Sequence, residues 1–127
     1  MKKYQGFKDL IVYQKAFELS ILIFHVTKKF PREELYSLTD QIRRSARSIG
    51  ACIAEAWPKR KYEKAFVSKL IDAQSEACET IRWLDEAVTL KYVGKEKYDE
   101  LTELTLEVQK MLESMIRNPE KFVNASK

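Results

Sequence analysis

The chain has 127 residues, with 23 Lys and Arg against 19 Asp and Glu, a single His, two Cys, three Gly and three Pro. That length makes one domain, residues 1–127, able to bury roughly two thirds of its unfolded surface, so neither disulfide nor metal is needed to hold a core. So few turn-formers exclude a sandwich or barrel with many hairpins, and 45% hydrophobic with 33% charged residues describes a folded globular chain.

The hydrophobic period is helical almost throughout. In the first segment Leu10, Tyr13, Phe17, Ile21 and Phe24 recur at spacings of three and four, and Leu19, Leu22, Ile23 and Val26 widen the stripe beyond one face. A helix that broad must touch more than one neighbour. Phe30-Pro31 ends it, because the residue before proline is pushed out of the α region, so the first helix is expected from about 9 to 29. The second runs from about 38 to 57, with Thr39 as N-cap, a stripe of Leu38, Ile42, Ala46, Ile49, Ile53 and Ala56, and small neighbours such as Ser45, Gly50 and Ala51 that permit close helix approach. Trp57-Pro58 closes it. After the basic link Lys59-Arg60-Lys61, the third helix spans about 62–91 on Phe66, Leu70, Ala73, Ala77, Ile81, Leu84 and Val88. Tyr92-Val93-Gly94 is the turn, with Gly94 available for the left-handed conformation that ends helices. The fourth helix covers about 95–117 and stops at Asn118-Pro119, leaving a tail, 118–127, that is expected to be flexible.

Four long helices on short connections predict an all-α, up-down-up-down antiparallel four-helix bundle. No stretch approaches the roughly 18–20 uncharged apolar residues of a membrane span, and charged Lys8 and Asp9 follow the N-terminus instead of an apolar signal core, so no membrane contact and a cytoplasmic location are expected. Asn124-Ala125-Ser126 matches the glycosylation triplet by form only. Cys52 and Cys78 lie beside small apolar residues in helical patterns and are read as reduced, buried thiols.

Catalytic and metal chemistry find no motif. His25 has no cysteine or carboxylate in helical register except Glu18, two turns away. No phosphate loop, HExxH or CxxC is present, and the pairs Glu76/Glu79 and Glu55/Glu63 lack the Glu-x-x-His motifs of a bundle di-metal site. No catalytic residue, metal, cofactor or small-molecule substrate is assigned.

Charge is segregated along the chain. Residues 28–69 hold eleven basic and five acidic side chains, and residues 70–113 the reverse, five and eleven. The basic residues are Arg43, Arg44 and Arg47 in the second helix, Lys59, Arg60 and Lys61 in the link, and Lys64 beyond it. A basic face can release counterions from phosphates, giving salt-dependent affinity for nucleic acid. It can also meet the acidic face of another subunit and set the register of an oligomer. For Arg43 and Arg44 the structural role, intersubunit or intrahelix pairing with Asp40, Glu55 or the acidic helices, is preferred; the link residues are freer to meet phosphate. Tyr62, Phe66, Trp57 and Trp83 are possible stacking rings, with Phe66 and Trp83 assigned to the core by their spacing.

Several motifs resemble those of a known family. Lys8-Asp9-Leu10-Ile11-Val12-Tyr13-Gln14-Lys15-Ala16 is similar to its opening, and Phe30-Pro31 with Glu34, then Leu38-Thr39-x-Gln41-Ile42-Arg43-Arg44-Ser45-Ala46, to its middle. Ser48-Ile49 with Ile53-Ala54-Glu55 resembles the close of its second helix, and Glu76-Ala77-Cys78-Glu79-Thr80-x-x-Trp83-Leu84 its third-helix signature. The family is the bacterial 23S rRNA intervening-sequence proteins, and the resemblance spans roughly residues 7–117. It implies a four-helix bundle that assembles into a homo-oligomeric ring, commonly a pentamer, without enzymatic activity. A distant relative, the accessory protein of diversity-generating retroelements, uses a basic pentameric barrel to bind nucleic acid and a reverse transcriptase. Two departures stand out: Tyr13 replaces the usual Trp, and Cys52-Ile53-Ala54-Glu55-Ala56 replaces Asn-Ile-Ala-Glu-Gly. The functional expectation is a non-catalytic oligomer that binds RNA or a ribonucleoprotein. The alternative is a protein-interaction scaffold for an acidic or reverse-transcriptase-like partner, without nucleic-acid binding.

Overall fold

A computed structural model describes residues 4–123. Its four long helices are α1 (Ile11–Thr27), α2 (Leu38–Ala56), α3 (Glu63–Thr89) and α4 (Lys95–Arg117), with 3-10 turns at Phe7–Asp9, Arg32–Glu34, Trp57–Lys61 and Pro119–Lys121. They form the up-down-up-down bundle, each helix packing on its chain neighbours and α1 closing against α4. No described helix is long and apolar enough to cross a membrane. Residues 4–10, residues 118–123 and the Trp57–Lys61 link lie at one end of the bundle, here the link end. The α1–α2 and α3–α4 connections lie at the other, the far end.

Helix α1 buries Val12, Ala16, Leu19, Ile23 and Thr27, whereas Phe17 and Ile21 are exposed and Tyr13 and Phe24 half-buried. Of the stripe that leads the sequence reading, only Leu10 reaches the core. The helix is apolar nearly all round, and the core takes the side where small Ala16 allows α2 to approach. It begins at Ile11 because the Asp9 carboxylate turns back to accept the Gln5 N–H at 2.7 Å and Leu10 is extended. It ends at Thr27, where the N–H groups of Lys28, Lys29 and Phe30 bond three residues back.

The start of α2 is secured by Glu34. Thr39 is buried inside the helix, Ser37 is the N-cap residue, and the cap is supplied from outside: Glu34 Oε1 accepts the Ser37 hydroxyl at 2.7 Å and the Leu38 N–H at 3.2 Å. Its other oxygen accepts the Tyr92 hydroxyl at 2.9 Å, and the Tyr92 ring lies 5.5 Å from buried Phe30. One carboxylate thus ties together both far-end connections.

The end of α3 also departs from expectation. Gly94 has φ −79° and is the N-cap residue of α4, while Lys91 adopts the left-handed conformation with φ 67°. The Lys91 N–H bonds Val88 O at 3.1 Å and the Tyr92 N–H bonds Ala87 O at 2.9 Å, a Schellman ending with lysine where glycine is favoured. The next residues, Tyr92 and buried Val93, pack on the core, so the chain has to reverse before it reaches Gly94.

At the link end the segment after α4 is folded onto the bundle through Val123, correcting the expected flexible tail over 118–123. Pro119 is buried, and Phe122 stacks on Tyr4 at 5.9 Å and lies 6.4 Å from Phe66. Residues 124–127, including the Asn124-Ala125-Ser126 triplet, lie outside the described residues. Cys52 is buried, but Cys78 is exposed, because it is the next residue round the helix from buried Ala77.

Two outcomes follow from this geometry. Lys91→Gly removes a Cβ from a left-handed residue, and after the entropy glycine adds to the unfolded chain it should stabilise by about 0.5–1 kcal/mol, read as a higher midpoint in urea unfolding. Hydrogen bonds from Ser37, then Tyr92, then the Leu38 N–H hold the Glu34 carboxyl below its ordinary value of 4.5. A group with a depressed folded pKa stabilises above its unfolded pKa and loses that contribution as pH falls through the folded value. Glu34→Ala should therefore melt lower than the parent at pH 7, with the difference closing as pH is lowered from about 5 towards 3 in thermal melts followed by circular dichroism.

Candidate nucleic-acid interface

The seven basic residues of the sequence fall into two groups. Arg43, Arg44 and Arg47 occupy the far-end half of α2, and Lys59, Arg60, Lys61 and Lys64 lie in the link and the first turn of α3. At a rise of 1.5 Å per residue, the twelve positions from Arg47 to Lys59 separate the groups by roughly 18 Å at their nearest. They do not form one patch.

In the far-end group, Arg43 is turned across α1. Its Nε–H donates to Thr27 Oγ1 at 2.8 Å, and its guanidinium lies 4.7 Å from the centre of the Phe24 ring. Arg47 and Lys28 lie 6.0 and 5.0 Å from the same ring, so one half-buried aromatic face gathers three cations. Within the chain Arg43 thus pairs with neither Asp40 nor Glu55 and is held instead by Thr27 and Phe24. Asp40 lies 4.0 Å from Arg44, a loose and exposed contact, and Glu55 binds Lys69 at 2.8 Å, which also reaches Asp72 at 3.7 Å. The role of Phe24 is missing from the sequence reading. Its signal is faint: Lys28 one turn later on α1, and an antiparallel α2 that starts with arginines.

The link group is built on Trp57-Pro58. Proline suits the first turn of a 3-10 segment, so the chain keeps helical dihedrals past Ala56 and turns sharply only at Tyr62, which is extended with φ −122°. Arg60 lies flat on Trp57, 3.6 Å from the ring centre, and donates from Nε to Trp57 O at 2.7 Å; Tyr4 meets the same indole edge-on. Partial burial lowers the Arg60 pKa. Arg60 and Trp57 are thus committed to structure, while Lys59, Lys61 and Lys64 are exposed and have no carboxylate within ion-pair distance among the described residues. Tyr62 stands among them, 70% exposed, whereas Phe66 is core and Trp83 half-buried. Lys64 also borders a groove of about 470 Å³ shared with Arg117, a basic residue outside the sequence-derived set that reaches this end because α4 returns to it.

The acidic counterpart lies on α3 beside α2. Asp72, Glu76 and Glu79 share one outward side, and burial first, then Glu79 and Asp72, pushes the Glu76 carboxyl up from its ordinary value. Nearby, burial raises the Cys52 thiol, which lies inside the bundle under Glu55 and Lys69. Exposed Cys78 accepts an N–H from Gln109 at 3.4 Å across the α3–α4 groove. His25 is exposed, its ring 5.5 Å from Phe24. Among the described residues no three His, Cys, Asp or Glu side chains converge as a metal site.

Comparison with known proteins agrees with this architecture. A solved structure from Bacteroides thetaiotaomicron VPI-5482, described as a protein of unknown function from the S23 ribosomal protein family, shares 33% identity with this chain. The match covers 84% of this chain and 98% of that one, with a TM-score of 0.76. No curated protein matches. The family described as 23S rRNA-intervening sequence protein matches residues 8–114. With that match over most of its length and the four-helix bundle in place, the chain belongs to the 23S rRNA-intervening sequence protein family.

Proposed function

We propose that this protein is a non-catalytic, homo-oligomeric bundle that acts in the cytoplasm and binds RNA or a ribonucleoprotein through its link end. The observation that carries the reading is the cluster of Lys59, Lys61 and Lys64, exposed and with no carboxylate within ion-pair distance among the described residues, around the open ring of Tyr62. Mobile ammonium groups suit phosphates, which vary in position along a strand, and an exposed phenol offers a stacking face to an unpaired base. The family description, which refers to rRNA, supports the choice of nucleic acid. Ring assembly, with five copies as the number the family resemblance implies, would repeat the lysine cluster around one rim and multiply weak contacts.

The other basic group favours a protein contact. Its Arg43 guanidinium is held over Phe24 by Thr27 with Arg47 at the margin of the same ring, an arrangement more suited to a fixed carboxylate partner than to a flexible polyanion. A scaffold for an acidic or reverse-transcriptase-like protein is the second reading, and it would use that face.

Salt dependence separates the two. In fluorescence anisotropy, a structured rRNA fragment and an unrelated duplex of equal length should both bind, with affinity falling steeply between two salt concentrations. Lys59→Glu/Lys61→Glu/Lys64→Glu, which spares the Arg60–Trp57 stack, should lower the slope of log affinity against log salt by about 2–3. Absence of binding at low salt would overturn the reading.

A further inference from the structure

The α1–α2 side of the bundle and the outward side of α3 carry opposite charges, four of which have no ion-pair partner among the described residues. Among the described residues no carboxylate lies within 4 Å of Arg43 or Arg47, and no cation within 4 Å of Glu76 or Glu79. Each side also exposes apolar surface. Phe17 is 54% and Ile21 43% exposed on α1, beside a groove of about 280 Å³ whose floor is Ala16, Gly50, Ala51 and Ala54. Ile71 is 49% exposed on α3, one turn before Ser75 and two before Glu79. A floor of small residues accepts the ridge of another helix; of the groove's rings only Phe17 is largely open, too little for a ladder of stacked bases.

The two sides also match in height. Ser45 is bonded to Thr80 at 2.9 Å and Glu55 to Lys69 at 2.8 Å, which fixes the antiparallel register of α2 and α3. In that register Arg47 is level with Ala77 and Cys78, between Glu76 and Glu79, and Ala54 is level with Ile71. Rotation about an axis parallel to the bundle moves a second copy without changing these levels, so Arg47 of one copy would face Glu76 and Glu79 of the next while Ile71 met Ala54. The two sides are different surfaces, so the contact between them is heterologous, a kind that closes into a ring where its rotation permits.

We propose that the partner of the α1–α2 groove is a second copy of this chain, which inserts the outward ridge of its α3 so that Arg47 pairs across the interface with Glu76 and Glu79. The inference rests on the homo-oligomer in the proposed function and identifies its contact. Charge complementarity fixes the register, and Phe17, Ile21 and Ile71 supply the apolar surface that is removed from water.

Charge exchange tests it. Masses of the wild type, Arg47→Glu, Glu76→Arg/Glu79→Arg and the combined variant are measured by sedimentation velocity over a concentration series, with circular dichroism confirming equal helix content and thermal midpoint. The wild type should be a discrete oligomer. Each partial variant should weaken association at least about tenfold, and the combined variant should recover most of it. An oligomer indifferent to both partial variants overturns this interface and leaves the oligomer to be explained by another face. A wild type that stays monomeric throughout overturns the interface and the homo-oligomer together. Loss of RNA affinity in Arg47→Glu at unchanged mass assigns the groove to nucleic acid and likewise overturns the proposal.

Discussion

The arrangement depends on how α2 meets α3. This is the most extensive helix pair, and its seam is made of small side chains, Ser45, Cys52 and Ala56 on one helix and Ala73, Ala77 and Thr80 on the other, all buried. Within it the Ser45 and Thr80 hydroxyls, 1% and 0% exposed, bond to each other at 2.9 Å, and Thr80 also donates to Glu76 O at 2.9 Å. A hydroxyl buried among apolar groups costs free energy unless it is well partnered, so a one-turn slip of α3 against α2 would forfeit the bond between them and leave each hydroxyl only a carbonyl of its own helix, Ile42 O at 3.3 Å for Ser45 and Glu76 O for Thr80. The small seam brings the helices close, and the polar pair selects the register. That register sets the heights of the arginines on the outside of α2 against the carboxylates on the outside of α3.

Much of the fold was legible in the sequence. Pro31, Pro58 and Pro119 mark where helices stop, and the 3.6 period with few glycines yields four helices in antiparallel order. The face that α1 buries was not legible, because its apolar residues recur at helical spacing on two sides and the choice is made by the shape of α2. Nor were the helix ends. Glu34 caps α2 from the preceding connection, four residues before Leu38, and Tyr92, its other partner, is 58 residues away. The left-handed residue is Lys91 and not Gly94, because the core needs Tyr92 and Val93 in place first.

The candidate site was legible as a list of residues and illegible as a surface. A basic run from Arg43 to Lys64 looks continuous in the sequence, yet helical rise places its halves at opposite ends of the bundle. The two groups then differ in kind. Arginine meets Phe24 and Thr27 in one, and Arg60 meets Trp57 in the other, so the guanidinium groups other than those of Arg44 and Arg47 are held close against the protein, and the lysines of the link remain open. The stacking of Arg60 on Trp57, three residues apart, follows from the tighter 3-10 geometry that Pro58 favours, which a count of charges does not register.

The claim on which the account rests is that the Ser45–Thr80 hydrogen bond couples α2 to α3 in one register. It is measured most directly by a double-mutant cycle of Ser45→Ala and Thr80→Val in urea unfolding. A shared buried hydrogen bond predicts a coupling energy of about 0.5–1.5 kcal/mol, with the double variant less destabilised than the two single losses added together. Losses that add to within about 0.3 kcal/mol would mean that the hydroxyls act independently, contradicting the register on which the placement of both charged faces depends.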